Sequence, residues 1–199
     1  MTTKRFIALI ALCLVPLALS GCLEEKVLEI VLTGETFADF SQNETTAQWT
    51  EPAILDMAQE IRDILDDNGY TEEDLLDAHV TSASYGVTQF SHSHDWTISG
   101  EITVTYGATT ETIVTYASQS VQGALGQKIS APLEAGGVDL INAALQDFLG
   151  GANPVLTFTI VNGSTTPSPS VEDPMIFDWR AWLAIQVILN EEVEVPDPF

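Results

Sequence analysis

Residues 96–117 read WTISGEITVTYGATTETIVTYA, and this stretch decides the class of fold. Its first half alternates apolar with polar side chains, which is typical of a strand with one face in the core. Residues 107–110 have the composition of a turn, and residues 111–117 return as a second strand. The stretch therefore predicts an antiparallel hairpin. The residues expected on one face of its first strand are Trp96, Ile98, Gly100, Ile102, Val104 and Tyr106.

The longest alternating run of the chain comes later, at 177–189. No proline interrupts this run and its second face also carries apolar residues, so we expect an interior strand. Gly34 is expected to end the first strand of the chain, with residues 35–48 as a loop. Shorter strands are predicted at 26–33, 80–90 and 156–160.

Helices are expected between the strands. Thr50-Glu51-Pro52 has the composition of a helix start, and apolar residues at 54–65 recur at helical spacing up to a C-cap at Gly69. Residues 71–74 (TEED) are typical of a capping box that opens a second, short helix. A third helix is predicted at 138–148.

These elements predict an α+β fold that is mainly β. We expect an antiparallel β-sandwich or a curved antiparallel sheet, with two or three helices covering an edge or an end. The strand–helix–strand repetition that parallel sheets need is absent from the pattern. One domain is expected over residues 26–190, followed by an acidic C-terminal tail at 191–199.

The charge balance restricts the partners. Six Lys and Arg residues stand against 29 Asp and Glu in 199 residues, a formal net charge of −23. Phosphate binding needs clustered basic residues, so we expect no nucleic-acid partner. The two cysteines, Cys13 and Cys22, both lie near the N-terminus, which excludes a disulfide framework.

The N-terminus has the order of a secretory signal. Lys4 and Arg5 precede an apolar run at 6–19 that is too short for a membrane span. The run ends in Leu19-Ser20-Gly21-Cys22, which resembles the lipobox of bacterial lipoproteins. This resemblance implies a signal peptide at 1–21, a lipidated tether at 22–25, and a lipid bilayer bound through acylated Cys22. Leu23 follows the cysteine where aspartate would retain a lipoprotein at the inner membrane, so the resemblance implies the cell envelope, at the outer membrane.

The segment 91–95 (SHSHD) is a local cluster of side chains that can bind metal. In a strand or turn, His92 and His94 would point to the same side and offer two imidazoles to zinc, with Asp95 or His79 as a further ligand. The same residues also suit a polar turn between two strands. Two histidines fall short of the three protein ligands of a catalytic zinc site, so we favour the turn and expect no cofactor.

Asp178, Arg180 and Trp182 share one face of the last predicted strand. Arg180 could hold a ligand carboxylate beside a tryptophan ring, which makes this a candidate ligand face. Alternatively, Arg180 pairs with Asp178 or another nearby acid and covers apolar surface with its stem, and we favour this structural role.

The chain has no GxSxG, Walker or GxGxxG motif. We therefore expect a non-catalytic domain that acts in binding, adhesion or envelope assembly, with a protein or glycan as its ligand. The alternative is an envelope metal-dependent hydrolase that uses His92, His94 and a third ligand.

Overall fold

A computed structural model describes residues 26–193, and the side chains of residues 28–191. The predicted signal peptide and tether, and the last part of the predicted tail, lie outside these residues. The described strands are β1 (Lys26–Glu44), β2 (Trp49–Asp56), β3 (Leu75–Phe90), β4 (Thr97–Tyr106), β5 (Thr109–Ser120), β6 (Ile129–Ala131), β7 (Val155–Thr166) and β8 (Met175–Val193). The described helices are α1 (Met57–Asn68) and α2 (Ala135–Leu149).

The strands form two antiparallel four-stranded sheets. Sheet A has the order β1-β8-β3-β6, and sheet B has the order β2-β7-β4-β5. Aromatic rings join the two inner faces, since the ring of Tyr116 in sheet B lies 5.3 Å from Trp179 and 6.2 Å from Tyr85 in sheet A. The predicted α+β, mainly β fold is confirmed, and of its two forms the chain adopts the sandwich.

The two patterns that led the sequence analysis both correspond to observed strands. β4 and β5 form the predicted hairpin, in which Tyr106 pairs with Thr109 across the turn. β8 is interior as predicted, because β1 pairs with one of its edges and β3 with the other. Its alternate residues, from Met175 to Leu189, point toward sheet B and are buried except for the half-buried Ala181.

β1 is longer than its sequence pattern predicts. Gly34 does not end the strand but pairs with Ile185 in its interior, and residues 35–44, expected as a loop, continue β1. A glycine is needed here because α1 packs closely on the inner face of β1. A Cβ atom on Gly34 would lie 2.3 Å from Cδ1 of Ile64 in α1. Gly34 is therefore a packing residue rather than a strand terminator.

The predicted start of α1 at residues 50–52 is wrong, because these residues belong to β2. β2 is an edge strand of sheet B, where the missing N–H of Pro52 is tolerated. The true N-cap is Asp56, whose carboxylate accepts a hydrogen bond from the backbone N–H of Gln59 at 3.1 Å. The predicted C-cap is confirmed, since Gly69 adopts the left-handed conformation with φ of 82°.

The short helix predicted after residue 71 is a single 3₁₀ turn at Glu72–Asp74. The Asp74 carboxylate accepts hydrogen bonds from the backbone N–H and the hydroxyl of Thr71, at 2.8 and 2.9 Å. The helix goes no further because Leu75 already begins β3 and pairs with β8.

Two strands also extend past their predicted ends. β7 continues beyond residue 160 to Thr166, and β8 continues to Val193. Residues 191–193, assigned to the tail, therefore pair with the beginning of β1. Cross-strand pairing stabilises polar residues that a sequence pattern alone does not assign to a strand.

The two helices pack between the sheets, toward the end where β1 begins. α2 contacts β3 of sheet A and β4 and β5 of sheet B, and α1 contacts α2 and β7. Their apolar faces are fully buried, as Ile61, Leu65, Ile141 and Leu145 show. Among the described residues, no helix combines the length and apolar character required to cross a membrane.

Candidate functional site

Two loops meet at one end of the sandwich, which we call the tip. They are residues 91–96 between β3 and β4, and residues 167–174 between β7 and β8. The last residue of β1, Glu44, pairs with the first residue of β8, Met175, so β8 starts where β1 ends. β3 runs antiparallel to β8 and finishes at the same end. The tip is therefore opposite to the end where β1 begins.

At the tip, His92 and His94 of the first loop face Asp173 of the second. Nε2 of His92 lies 3.1 Å from Oδ1 of Asp173, and Nε2 of His94 lies 3.4 Å from Oδ2. One possible metal-binding atom from each of the three residues lies within 4.8 Å of the other two. The two imidazoles thus point to the same side, as their spacing in the sequence predicts.

The buried indole of Trp96 forms the floor beneath both imidazoles. Its ring centroid lies 4.4 Å from that of His92 and 4.3 Å from that of His94. Nδ1 of His92 and Nε2 of His94 are buried and have no hydrogen-bond partner among the described residues. Buried polar atoms in proteins are nearly always paired, so these nitrogens call for an explanation.

The further ligands suggested by the sequence bond elsewhere. The Asp95 carboxylate accepts hydrogen bonds from the hydroxyl of Ser120 at 2.5 Å and from the backbone N–H of Gln122 at 2.7 Å. Asp95 therefore anchors the loop rather than completing the cluster. His79 lies within β3, where its Nε2 is 2.9 Å from Oε1 of Gln186.

Asp173, which the sequence analysis missed, takes the place suggested for Asp95. It is one of 29 acidic residues, and its surroundings in the sequence indicate only a loop. Reciprocal backbone hydrogen bonds of 3.0 and 3.2 Å to Ser170 hold it in position. Its proximity to the histidines depends on the pairing of β3 with β8, which no local pattern reveals.

The predicted ligand face lies on the outer side of sheet A, where Asp178, Arg180 and Trp182 are partly exposed. Arg180 does not pair with Asp178. Its Nε and Nη2 donate hydrogen bonds of 2.5 and 2.7 Å to the two carboxylate oxygens of Asp39. Its guanidinium also lies 3.7 Å from the ring centroid of Phe37. The favoured structural role of Arg180 therefore agrees with the geometry, with Asp39 as the partner.

Trp182 lies beside a second cation on this face. Nζ of Lys128 is 5.2 Å from the indole centroid and forms an ion pair with Glu35. We call Phe37, Lys128, Arg180 and Trp182 the outer aromatic patch. Phe37 and Lys128 could not be assigned to this face from the sequence, because they come from β1 and from the segment before β6.

Two carboxylates lie close together near the end of β1 that reaches the tip. Burial raises the pKa of Glu44, and the neighbouring Glu51 carboxylate adds to the rise.

Comparison of the chain with models of protein families, with characterised proteins and with solved structures gives no match.

Proposed function

We propose that this chain is a lipid-anchored protein of the bacterial cell envelope, at the outer membrane, and that its β-sandwich is a non-catalytic binding domain. Cys22 carries the acyl chains in this proposal, since it closes the lipobox-like sequence at residues 19–22. More than one acyl chain is needed for stable anchoring, because a single chain binds a bilayer only marginally.

The course of β1 is the main structural support for the lipid-anchored arrangement. β1 begins at Lys26, only four positions after Cys22, and its 19 residues run along the whole sandwich. At about 3.3 Å per residue, a strand of this length spans roughly 60 Å. An anchor at Cys22 would therefore hold the beginning of β1 near the bilayer and direct the tip away from it.

The outer aromatic patch is the ligand face in this proposal. Tryptophan and arginine are enriched at binding interfaces, because each combines apolar area with a polar group. Arg180 and Trp182 are both held in place by neighbours, so a ligand would meet a preorganised surface. Such a surface can pack against a protein side chain or against a sugar ring.

Replacing the anchor residue tests the first half of the proposal. Cys22→Ser should move the protein from the membrane fraction to the soluble fraction and remove the acyl mass from the chain. Cys13→Ser is the matched control, because it removes a thiol from the same segment and should leave the protein in the membrane. Membrane retention of Cys22→Ser, with the acyl mass still attached to the chain, would contradict an anchor at Cys22.

Binding assays test the second half. The wild type and Trp182→Ala should be compared on a glycan array and on an array of envelope and extracellular proteins. The proposal expects binding that Trp182→Ala weakens by about tenfold or more, as interface tryptophans commonly do. Ile54→Ala is the control, because Ile54 is 74% exposed on sheet B, away from the patch. Equal binding by all three proteins would exclude the patch as the ligand face.

A further inference from the structure

The histidine–carboxylate cluster at the tip has the composition of a metal site. Two imidazoles and one carboxylate suit the borderline divalent ions, zinc above all. Calcium and magnesium prefer ligands that are all oxygen atoms. Because two of the three ligands here are imidazole nitrogens, the cluster does not suit either ion. We propose that His92, His94 and Asp173 bind one Zn²⁺ ion, with a fourth coordination position left for water or for a ligand group.

The distances within the cluster are close to those of a zinc site. Zinc lies about 2.0–2.2 Å from nitrogen and oxygen ligands, which places neighbouring ligands of a tetrahedron roughly 3.3–3.4 Å apart. The contacts of the two Nε2 atoms with Asp173 measure 3.1 and 3.4 Å. The greatest separation among the three ligand atoms is within 4.8 Å, so the loops need to close by about 1.5 Å at most to reach tetrahedral spacing.

Zinc would also give the buried nitrogen of His94 a partner. Nε2 of His94 is shielded from solvent and makes no hydrogen bond, although Asp173 is 3.4 Å away. An ion pair between Asp173 and a protonated imidazole is the competing explanation for the cluster. That ion pair needs a protonated ring, whereas zinc binds neutral imidazoles, so a stoichiometric zinc complex distinguishes the two explanations.

The residues around the cluster restrict the movement of its ligands. Trp96 supports both rings, Asp95 anchors the first loop through Ser120 and Gln122, and Ser170 holds Asp173. Ligands held in this way lose little conformational freedom when the metal binds. The ion would link the β3–β4 loop to the β7–β8 loop, at the opposite end of β1 from Lys26. The site depends neither on the lipid anchor nor on the outer aromatic patch.

Zinc titration of the full-length chain in mild detergent tests the proposal. Cys13→Ser and Cys22→Ser should be present in every sample so that no thiol binds zinc. At pH 7.5, the protein should retain one zinc per chain after gel filtration, and calcium in excess should not displace it.

Single substitutions then assign the ligands. Loss of a residue that only hydrogen-bonds to a metal ligand weakens metal binding by about 10–100-fold. Loss of a ligand itself should cost at least as much, and we expect this for His92→Ala, His94→Ala and Asp173→Asn. His79→Ala and Glu172→Gln are matched controls that remove a histidine and an adjacent acid. Both controls should bind zinc as the parent protein does.

Each outcome bears on the proposal. Zinc binding that is equal in the three ligand variants, or that occurs at many weak sites competed by calcium, would overturn it and assign the metal to the acidic surface. A folded parent protein that binds no zinc would also overturn the proposal. Near-ultraviolet circular dichroism checks that each variant is folded. Asp173 is 49% exposed, so Asp173→Asn should keep the fold even where a histidine substitution does not.

Discussion

Asp39 and Arg180 lie directly opposite each other on β1 and β8, and the guanidinium donates two hydrogen bonds to the carboxylate, at 2.5 and 2.7 Å. A paired arrangement of this kind fixes the orientation of both side chains as well as attracting their charges. The Arg180 side chain is 30% exposed and that of Asp39 is 55% exposed, so solvent weakens the attraction.

A double-mutant cycle on Asp39 and Arg180 should give a coupling energy of about 0.5–1 kcal/mol, the range of cross-strand charge pairs. Arg180→Ala should cost more than Asp39→Ala, because it also removes the contact with the Phe37 ring. Urea denaturation measures the four free energies of unfolding. Arg180→Lys is the control, since it keeps the charge and loses the paired geometry. Additive effects in the cycle would show that the pair contributes no coupling.

Gly34 and Ile64 should also be coupled, in this case through the space that they share. A methyl group at Gly34 would overlap Cδ1 and Cγ1 of Ile64, at 2.3 and 2.4 Å. Gly34→Ala should lower the free energy of unfolding by about 1–3 kcal/mol, the usual cost of overpacking. In Ile64→Ala the space is vacant, so adding Gly34→Ala should cost much less there than in the wild type.

Gly163→Ala is the matched control for Gly34→Ala, measured by the same thermal and urea denaturation. A Cβ atom on Gly163 would have its nearest neighbour at 3.5 Å, an ordinary contact. The control should therefore leave stability unchanged or raise it slightly. A Gly34→Ala protein as stable as the control would mean that α1 does not pack closely on β1.

The contrast between the predicted and observed elements follows from what local patterns contain. The hairpin at 96–117 and the run at 177–189 could be predicted, because each shows its period within its own residues. The roles predicted for Gly34 and Pro52 are wrong, because the structural reasons for these two residues lie in α1 and in the edge position of β2. The sequence shows that one residue has no side chain and that the other has no N–H group. It does not show which elements lie next to them in the fold.

The same limit applies to the candidate sites. His92 and His94 were found because they lie two positions apart in one loop. Asp173 and Asp39 could not be assigned, because each meets its partner only through the pairing of distant strands with β8. In a chain with 29 acidic residues, only the register of the sheet distinguishes these two carboxylates from the rest.

Alkaline pH should destabilise the fold through Tyr116. Burial raises the pKa of its hydroxyl well above the usual value, and Tyr85 and Glu101 raise it further. Between the unfolded pKa of about 10 and the folded pKa, the folded state holds a proton that the unfolded state has lost. The free energy of unfolding should therefore fall as the pH rises above 10, by up to about 1.4 kcal/mol per pH unit for this group.

Tyr116→Phe isolates this contribution, because it keeps the ring and removes the titrating hydroxyl. Stability should be measured from about pH 9.5 to about pH 11.5, a range that includes the unfolded-state tyrosine pKa of about 10. The free energy of unfolding should fall less steeply over this range in Tyr116→Phe than in the wild type. Some decline should remain, since burial also raises the pKa of Tyr85. Urea denaturation at a series of pH values measures both slopes. Identical slopes in the wild type and Tyr116→Phe would exclude Tyr116 as a source of the effect.

Asp95 should act on the tip as a positioning residue. Its carboxylate accepts two hydrogen bonds, from Ser120 and from the backbone of Gln122, and it adjoins His94 in the chain. Asp95→Ala should lower the free energy of unfolding by about 1–3 kcal/mol, because bonds to a charged acceptor are lost. It should also speed hydrogen exchange at the Gln122 amide, which then has no acceptor.

Zinc affinity separates this positioning role from that of a ligand. Asp95→Ala should weaken zinc binding by about tenfold through a looser loop, the lower end of outer-shell effects, and less than Asp173→Asn does. Asp95→Asn keeps one oxygen acceptor, so it should restore part of both the exchange protection and the affinity. If Asp95→Ala abolished zinc binding while the Gln122 amide stayed protected, Asp95 would have to contact the metal itself, and Asp173 would lose its place as the third ligand.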